Sequence, residues 1–182
     1  MKVFITGANG FIGSNICRRF LARGWDVAGL VRPAADRHYL DGLAMEIVTG
    51  DLREPAGFDL PENLDAIVHS ASVVSDVACD SVCRDNILCL AENLVEKVKA
   101  LPKPPPRIIV VSTALTLGYA ATGISETHPG RPADFLPYTR YKKQSEDFFL
   151  AEWRDSRLPV VILRPGDVFG PRDRTTMIKV IQ

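Results

Sequence analysis

Apolar residues rich in Val and Ile fall into six short runs, at residues 2–6, 26–31, 45–49, 66–70, 107–112 and 160–163. Each has the length of a strand, and the apolarity is continuous rather than alternating, which predicts strands covered on both faces. Between them, residues 11–23, 75–99 and 138–154 have helical character. Strand and helix therefore alternate as in a parallel sheet with right-handed crossovers. The pattern predicts an α/β fold: a Rossmann-type, doubly wound parallel sheet with helices on both faces. The prolines at 102 and 104–106 cannot continue a helix, because each lacks the amide donor, so they end the second helix and lead into the fifth strand. Residues 118–137, rich in Gly, Pro and Thr, form a long loop of the kind that tends to carry function.

Composition adds mainly exclusions. The chain has 182 residues, 46% hydrophobic and 24% charged, enough for one globular domain over residues 1–182 with a real core. Twenty-two basic residues balance twenty-two acidic ones, so no global field draws the chain to nucleic acid or an anionic membrane. No segment approaches about 18 uninterrupted apolar residues, and the apolar run at the amino terminus is too short for a signal peptide, so a cytoplasmic protein is expected. Cys17, Cys79, Cys83 and Cys89 form no CxxC pair and have no histidine at zinc-ligand spacing. They are expected to be reduced thiols, with no metal site.

Candidate chemistry begins directly after the first strand, in Thr6-Gly7-Ala8-Asn9-Gly10-Phe11-Ile12-Gly13. Gly7 permits the sharp turn, Gly10 lets backbone amides approach a pyrophosphate at a helix amino terminus, and Gly13 lets helix and sheet pack closely. The strand-turn-helix context makes Gly7, Asn9, Gly10, Phe11, Ile12 and Gly13 a candidate dinucleotide cradle. About 20 residues on, at the end of the second strand, NAD-binding domains place an acidic residue on the ribose hydroxyls. Here Val31-Arg32 stands there, and a guanidinium suits a 2′-phosphate, which favours NADP over NAD. Asp36, slightly further on, is the alternative contact to the ribose, and a solvated Arg32 is the bland one. Tyr138 and Lys142, four residues apart, share one helix face and can converge on one ligand. By itself, such a pair is more often a ring covered by a lysine stem.

These features occur in one order with His69-Ser70-Ala71-Ser72, Val111-Ser112-Thr113 and Arg164-Pro165-Gly166-Asp167-Val168-Phe169-Gly170-Pro171. The set resembles the extended short-chain dehydrogenases/reductases, the NAD(P)-dependent epimerase/dehydratase family. The resemblance implies that Asp51 and Leu52 lie along the adenine, that Ser70, Ala71 and Ser72 line the path to the nicotinamide ribose, and that Pro165 lies near the nicotinamide. It also implies a catalytic set of Thr113, Tyr138 and Lys142, with Tyr138 and Lys142 touching the cofactor as well. Tyr138 would move the substrate hydroxyl proton near neutral pH, about three pH units below an ordinary phenol, or about 4 kcal/mol. A lysine ammonium about 4 Å away supplies on the order of 4 kcal/mol at an effective dielectric of 20, so Lys142 is the right size of effect.

Departures from the family pattern narrow the reaction. Ala114 and Leu115 stand where the family's dehydratases carry Asp-Glu, which disfavours dehydration. Leu117 replaces a usual Tyr, Cys89 and Leu90 replace the Gly-Thr of a helix start that keeps Asn86, and Tyr141 replaces a frequent Ser, where it is expected to serve helix packing. The family's smaller carboxy-terminal substrate domain is expected to be largely absent from a chain ending at Gln182. The reading is an NADP-preferring oxidoreductase or epimerase acting on a secondary alcohol or ketone, with reduction favoured because NADPH supplies net reducing equivalents. A nucleotide-sugar epimerase and a dinucleotide-binding or sensing protein without turnover are the alternatives. Relatives commonly form homodimers through the helices flanking the fifth strand, and Val77, Val82, Ile87, Phe148 and Phe149 are compatible with that.

Overall fold

The computed structural model describes residues 1–75, 77–119 and 122–174. Six strands, β1 (Lys2–Thr6), β2 (Asp26–Val31), β3 (Glu46–Thr49), β4 (Ala66–His69), β5 (Ile108–Val111) and β6 (Val160–Leu163), form one sheet in the order β3-β2-β1-β4-β5-β6. Every pairing is parallel. The continuously apolar strands lie where that pattern requires: β1 and β4 in the middle are buried, whereas the edge strands β3 and β6 are half-exposed.

Strand side chains alternate between two cores. On one face Phe4, Ile67, Ile108 and Val110 pack with Leu90, Leu94, Val98 and Phe149. On the other, Val3, Ile5, Val27 and Val68 pack with Cys17, Ile16 and Phe20. The second face is covered by α1 (Phe11–Leu21), which ends two residues before the expected 23 because Gly24, at φ +73°, turns the chain out of the helix. The first face is covered by the helices that follow β4 and β5.

The expected helix at 75–99 is shorter and interrupted; its position 76 lies outside the described residues, as do residues 120–121 of the expected loop and 175–182 of the expected domain. It consists of α2 (Asp80–Cys83), a π-helical turn (Arg84–Leu88) and α3 (Cys89–Lys99). Residues 77–79 stay outside because Cys79 is extended and Ser75 Oγ accepts from the Val77 amide. The π turn leaves the Asn86 carbonyl to accept from the Val73 amide at 3.2 Å. Replacing the family's small residues does not loosen the packing, since Leu90 fills the core and is only 7% exposed. The third long helix, α4 (Pro137–Ser156), begins on proline, whose missing amide costs nothing in a first turn, and ends at Arg157 in left-handed conformation.

Of the five residues expected at a dimer face, Ile87 and Phe149 belong to the interior of the single chain and Phe148 packs against it. Val77 and Val82 are exposed. Among the described residues, no helix is long and apolar enough to cross a membrane. Phe149, fully buried against the sheet and in edge contact with Phe148, anchors α4. Phe149→Ala is expected to cost about 3–5 kcal/mol in urea unfolding, with folding otherwise retained.

Candidate functional site

The site is built where β1 and β4 end side by side. Beyond β1, Gly7 adopts φ +67°, and a Cβ there would lie 2.9 Å from the Ala71 backbone. A Cβ on Gly13 would lie 2.0 Å from the Gly7 carbonyl oxygen, so α1 can start this close to the strand only without a side chain at 13. Gly10 caps α1 with no side-chain hydrogen bond, which leaves the helix's first amides and its positive dipole end facing outward. The β4 end is tied to the same turn: Ser70 Oγ donates to the Thr6 carbonyl at 2.6 Å, and the Ala71 amide donates to Thr6 Oγ1 at 3.2 Å.

These turns open on a cavity of about 350 Å³, within the range of small-molecule sites. It collects Gly7, Asn9, Gly10, Arg32, Asp51, Leu52, Ser70, Ala71 and Ser72, nine of the expected cofactor residues. It also collects Leu30, Val73, Asn86 and Leu90. Sequence reasoning does not assign these four to the site; Asn86 stands out only as a retained motif position, and nothing local shows that the π turn carries it to the cavity wall. Gly13 lies beneath the turn. The side chains of Phe11 and Ile12 turn away and border a separate groove with Asn15, Ile16, Arg19 and residues 168–171.

At the β2 end of the cavity, Arg32 is exposed and borders the opening. Asp36 is engaged elsewhere: its carboxylate pairs with the His38 ring at 2.6 Å and accepts from the His38 amide, and its carbonyl accepts from Asn9 Nδ2 at 2.9 Å. Asp51 accepts from the Arg53 guanidinium at 2.6 Å and from the Arg53 amide at 2.9 Å. The guanidinium hydrogen bond holds its carboxyl below the usual range.

A second group of expected residues lies behind Ala71, which borders both the large cavity and a small one shared by His69, Ser112, Lys142 and Glu146. Lys142 is 8% exposed and donates from Nζ to the Val111 carbonyl at 3.0 Å. Burial pushes its ammonium down to about 8, with the neighbouring Glu146 charge opposing. Tyr138, one turn earlier and also buried, packs with Cys83, Ile87 and Tyr141. Tyr141 does serve packing, and its hydroxyl also donates to Asp80 Oδ2 at 2.5 Å, with Arg140 pairing to the same carboxylate. Thr113 caps a short 3₁₀ turn, its Oγ1 accepting from the Leu115 amide at 3.3 Å. Pro165 is held beside it through its carbonyl, which accepts from the Ala114 amide at 2.8 Å.

The sequence model of the NAD dependent epimerase/dehydratase family matches residues 3–182. The chain is 32% identical over 181 residues to sterol demethylase protein B of Methylococcus capsulatus, covering 95% of this chain and 53% of that protein. It is 28% identical over 174 residues to dTDP-6-deoxy-L-talose 4-dehydrogenase (NAD(P)(+)) of Kitasatospora kifunensis, covering 93% and 53%. Among solved structures, UDP-glucose 4-epimerase of Thermus thermophilus in complex with NAD superposes with a TM-score of 0.83 at 27% identity, covering 97% of this chain and 58% of that one. The chain thus spans about half the length of the curated relatives it matches.

His69 closes the β4 end and provides a check on burial. Its Nδ1 shares a 2.9 Å hydrogen bond with Thr6 Oγ1, and burial, reinforced by the Lys142 charge, pushes its pKa down to about 3. The unfolded chain binds a proton at His69 below about pH 6.5 while the folded chain does not. Stability should therefore fall as pH drops from about 6.5 towards 3, at up to about 1.4 kcal/mol per pH unit from this group. Urea midpoints measured from pH 7 to 4 are expected to fall less steeply in His69→Gln.

Proposed function

This chain belongs to the NAD dependent epimerase/dehydratase family, and we propose that it is the nucleotide-binding part of an NAD(P)-dependent oxidoreductase or epimerase acting on a secondary alcohol or ketone. The observation that carries the reading is the glycine cradle: Gly7 and Gly13 have no room for a Cβ, and the uncapped start of α1 opens on a cavity large enough for a ligand. This arrangement suits a pyrophosphate, because backbone amides and the helix dipole both favour an anion there. The candidate contacts are Gly7, Asn9 and Gly10 with the backbone of Phe11, Ile12 and Gly13, then Asp51 and Leu52 at the adenine, and Ser70, Ala71, Ser72 and Pro165 towards the nicotinamide.

When bound, a nicotinamide supplies or takes up the hydride. Tyr138 gives or removes the proton of the substrate oxygen, and Thr113 orients that oxygen by a hydrogen bond. Lys142 binds the nicotinamide ribose, and its charge favours the phenolate. An ammonium buried in low dielectric acts strongly on a neighbouring phenol but is also easily neutralised, so the same burial sets an upper pH limit. Arg32 at the cavity, with Asp36 committed to His38, supports NADP and hence net reduction. A nucleotide-sugar epimerase is the second reading, supported by the similarity to UDP-glucose 4-epimerase in complex with NAD. Homodimerisation through α4 is part of the proposal, supported by the exposed Leu150 and Trp153 three residues apart on that helix.

Tyr138→Phe is expected to lower turnover by about 10²–10⁴-fold with little change in NADPH affinity; full turnover in that variant would sink the assignment. In the parent protein turnover should decline above about pH 8, because Lys142 carries its charge below that value and loses it above. Titration of NADPH against NADH should show a phosphate preference of about 10- to 100-fold that Arg32→Ala removes. Equal affinities in the parent would refute the NADP preference.

A further inference from the structure

Glu146, one helical turn beyond Lys142, is only 1% exposed. A carboxylate this deeply buried persists only when its oxygens are satisfied. Here they are satisfied by three separate parts of the chain. Ser112 Oγ, at the end of β5, donates to Oε1 in a short hydrogen bond. Thr116 Oγ1, in the 3₁₀ turn that follows Thr113, donates to the same oxygen at 2.9 Å. Arg164, at the end of β6, donates from Nε at 3.1 and 3.0 Å to the two oxygens and from Nη2 to Oε2 at 2.8 Å. One carboxylate thus joins the segment carrying Thr113, the helix carrying Tyr138 and Lys142, and the strand end before Pro165.

We propose that Glu146 is a positioning residue for the candidate site, clamping these three segments and holding the Lys142 side chain in its charged form inside the protein. The inference rests on the reading of Lys142 as the group that assists Tyr138. Lys142 and Glu146 border the same small cavity, which at about 10 Å³ has room for about one water. Each element packed against Lys142 presents a group to it. From β4 comes His69, neutral in the fold; from the end of β5 come the Val111 carbonyl and the Ser112 hydroxyl; from the π turn comes the apolar Ile87. On α4 itself Tyr138 precedes it by one turn and Glu146 follows by one turn. Arg164 stands behind Glu146 with its charge directed at the carboxylate. Glu146 is therefore the anion that offsets the loss of solvent around Lys142, in keeping with its opposing effect on the lysine's burial-lowered titration.

Two charge changes of opposite sign separate this role from simple bracing. In the protein labelled with ¹³C-lysine, the Lys142 Cε resonance, assigned by its absence in Lys142→Arg, should titrate at about pH 8. Glu146→Gln keeps the shape but removes the anion, and should move that titration down by about one pH unit or more. Arg164→Gln leaves the anion less neutralised and should move it up. Bracing alone predicts shifts of the same direction in both variants or no shift, and either result overturns the proposal. If Glu146→Gln does not fold, Arg164→Gln decides by itself: an upward shift supports the proposal and an unchanged titration overturns it. Turnover against pH is the companion measurement, its high-pH limb following the Lys142 titration. A titration that moves while the turnover profile does not would retire Lys142's assistance of Tyr138 and leave the Glu146 assignment standing, so the two failures are distinguishable.

Discussion

The parallel pairing of β1 with β4, while β2 lies on the other side of β1, is the constraint on which the site depends. The chain leaves β1 towards α1 on one face of the sheet and leaves β4 towards α3 on the other. Two neighbouring strand ends whose continuations part in this way necessarily leave a crevice between them. Its walls are kept at backbone contact distance by Gly7 against Ala71 and by the hydrogen bonds of Ser70 and Ala71 to Thr6. A side chain at Gly7 would have to part the strand ends, and one at Gly13 would drive α1 off the turn. Glycine here trades conformational entropy for close approach, and the close approach leaves bare backbone amides at the start of α1, as the proposed pyrophosphate contact requires.

Behind that crevice the structure accumulates polar groups that burial disfavours. His69 responds by staying neutral. Lys142 is displaced towards neutrality but keeps an anionic neighbour, and Glu146 is itself held by Arg164 and two hydroxyls. Buried ion pairs contribute little net stability, because desolvation consumes most of the Coulomb gain. Their value at this place is geometric and electrostatic: the elements bearing Thr113, Tyr138 and Lys142 cannot shift independently. The exposed pairs elsewhere, such as Lys2 with Glu46, have neither the burial nor the number of partners to do this.

The sheet was legible in the primary structure because a parallel sheet covered on both faces demands continuous apolar runs, and the strands lie within a residue of those runs at each end. The glycine loop was legible for a similar reason, since each glycine answers a local steric demand. The helix after β4 was less so. Residues 75–79 look helical, yet the start at Asp80 and the π turn follow from hydrogen bonds to Val73 and Ser75 that no periodicity encodes. Ile87 and Phe149 illustrate the same limit: an apolar residue on a helix reads alike whether it faces a second chain or its own core, and here it is the core.

The sequence by itself determined the fold class, the glycine turn between β1 and α1, the family pattern and the pair Tyr138 and Lys142 on one helix. All of these are set by residue type and spacing along a short stretch of chain. Only the tertiary structure decided that Asn86 reaches the cavity, that Asp36 is committed to His38, and that Lys142 is buried beside a carboxylate secured from β5, the 3₁₀ turn and β6. Glu146 at four residues from Lys142 looks like an ordinary surface pair until the sheet brings Ser112 and Arg164 to it. Charge state and hydrogen-bond commitment depend on solvent exclusion, and solvent is excluded by segments distant in the chain.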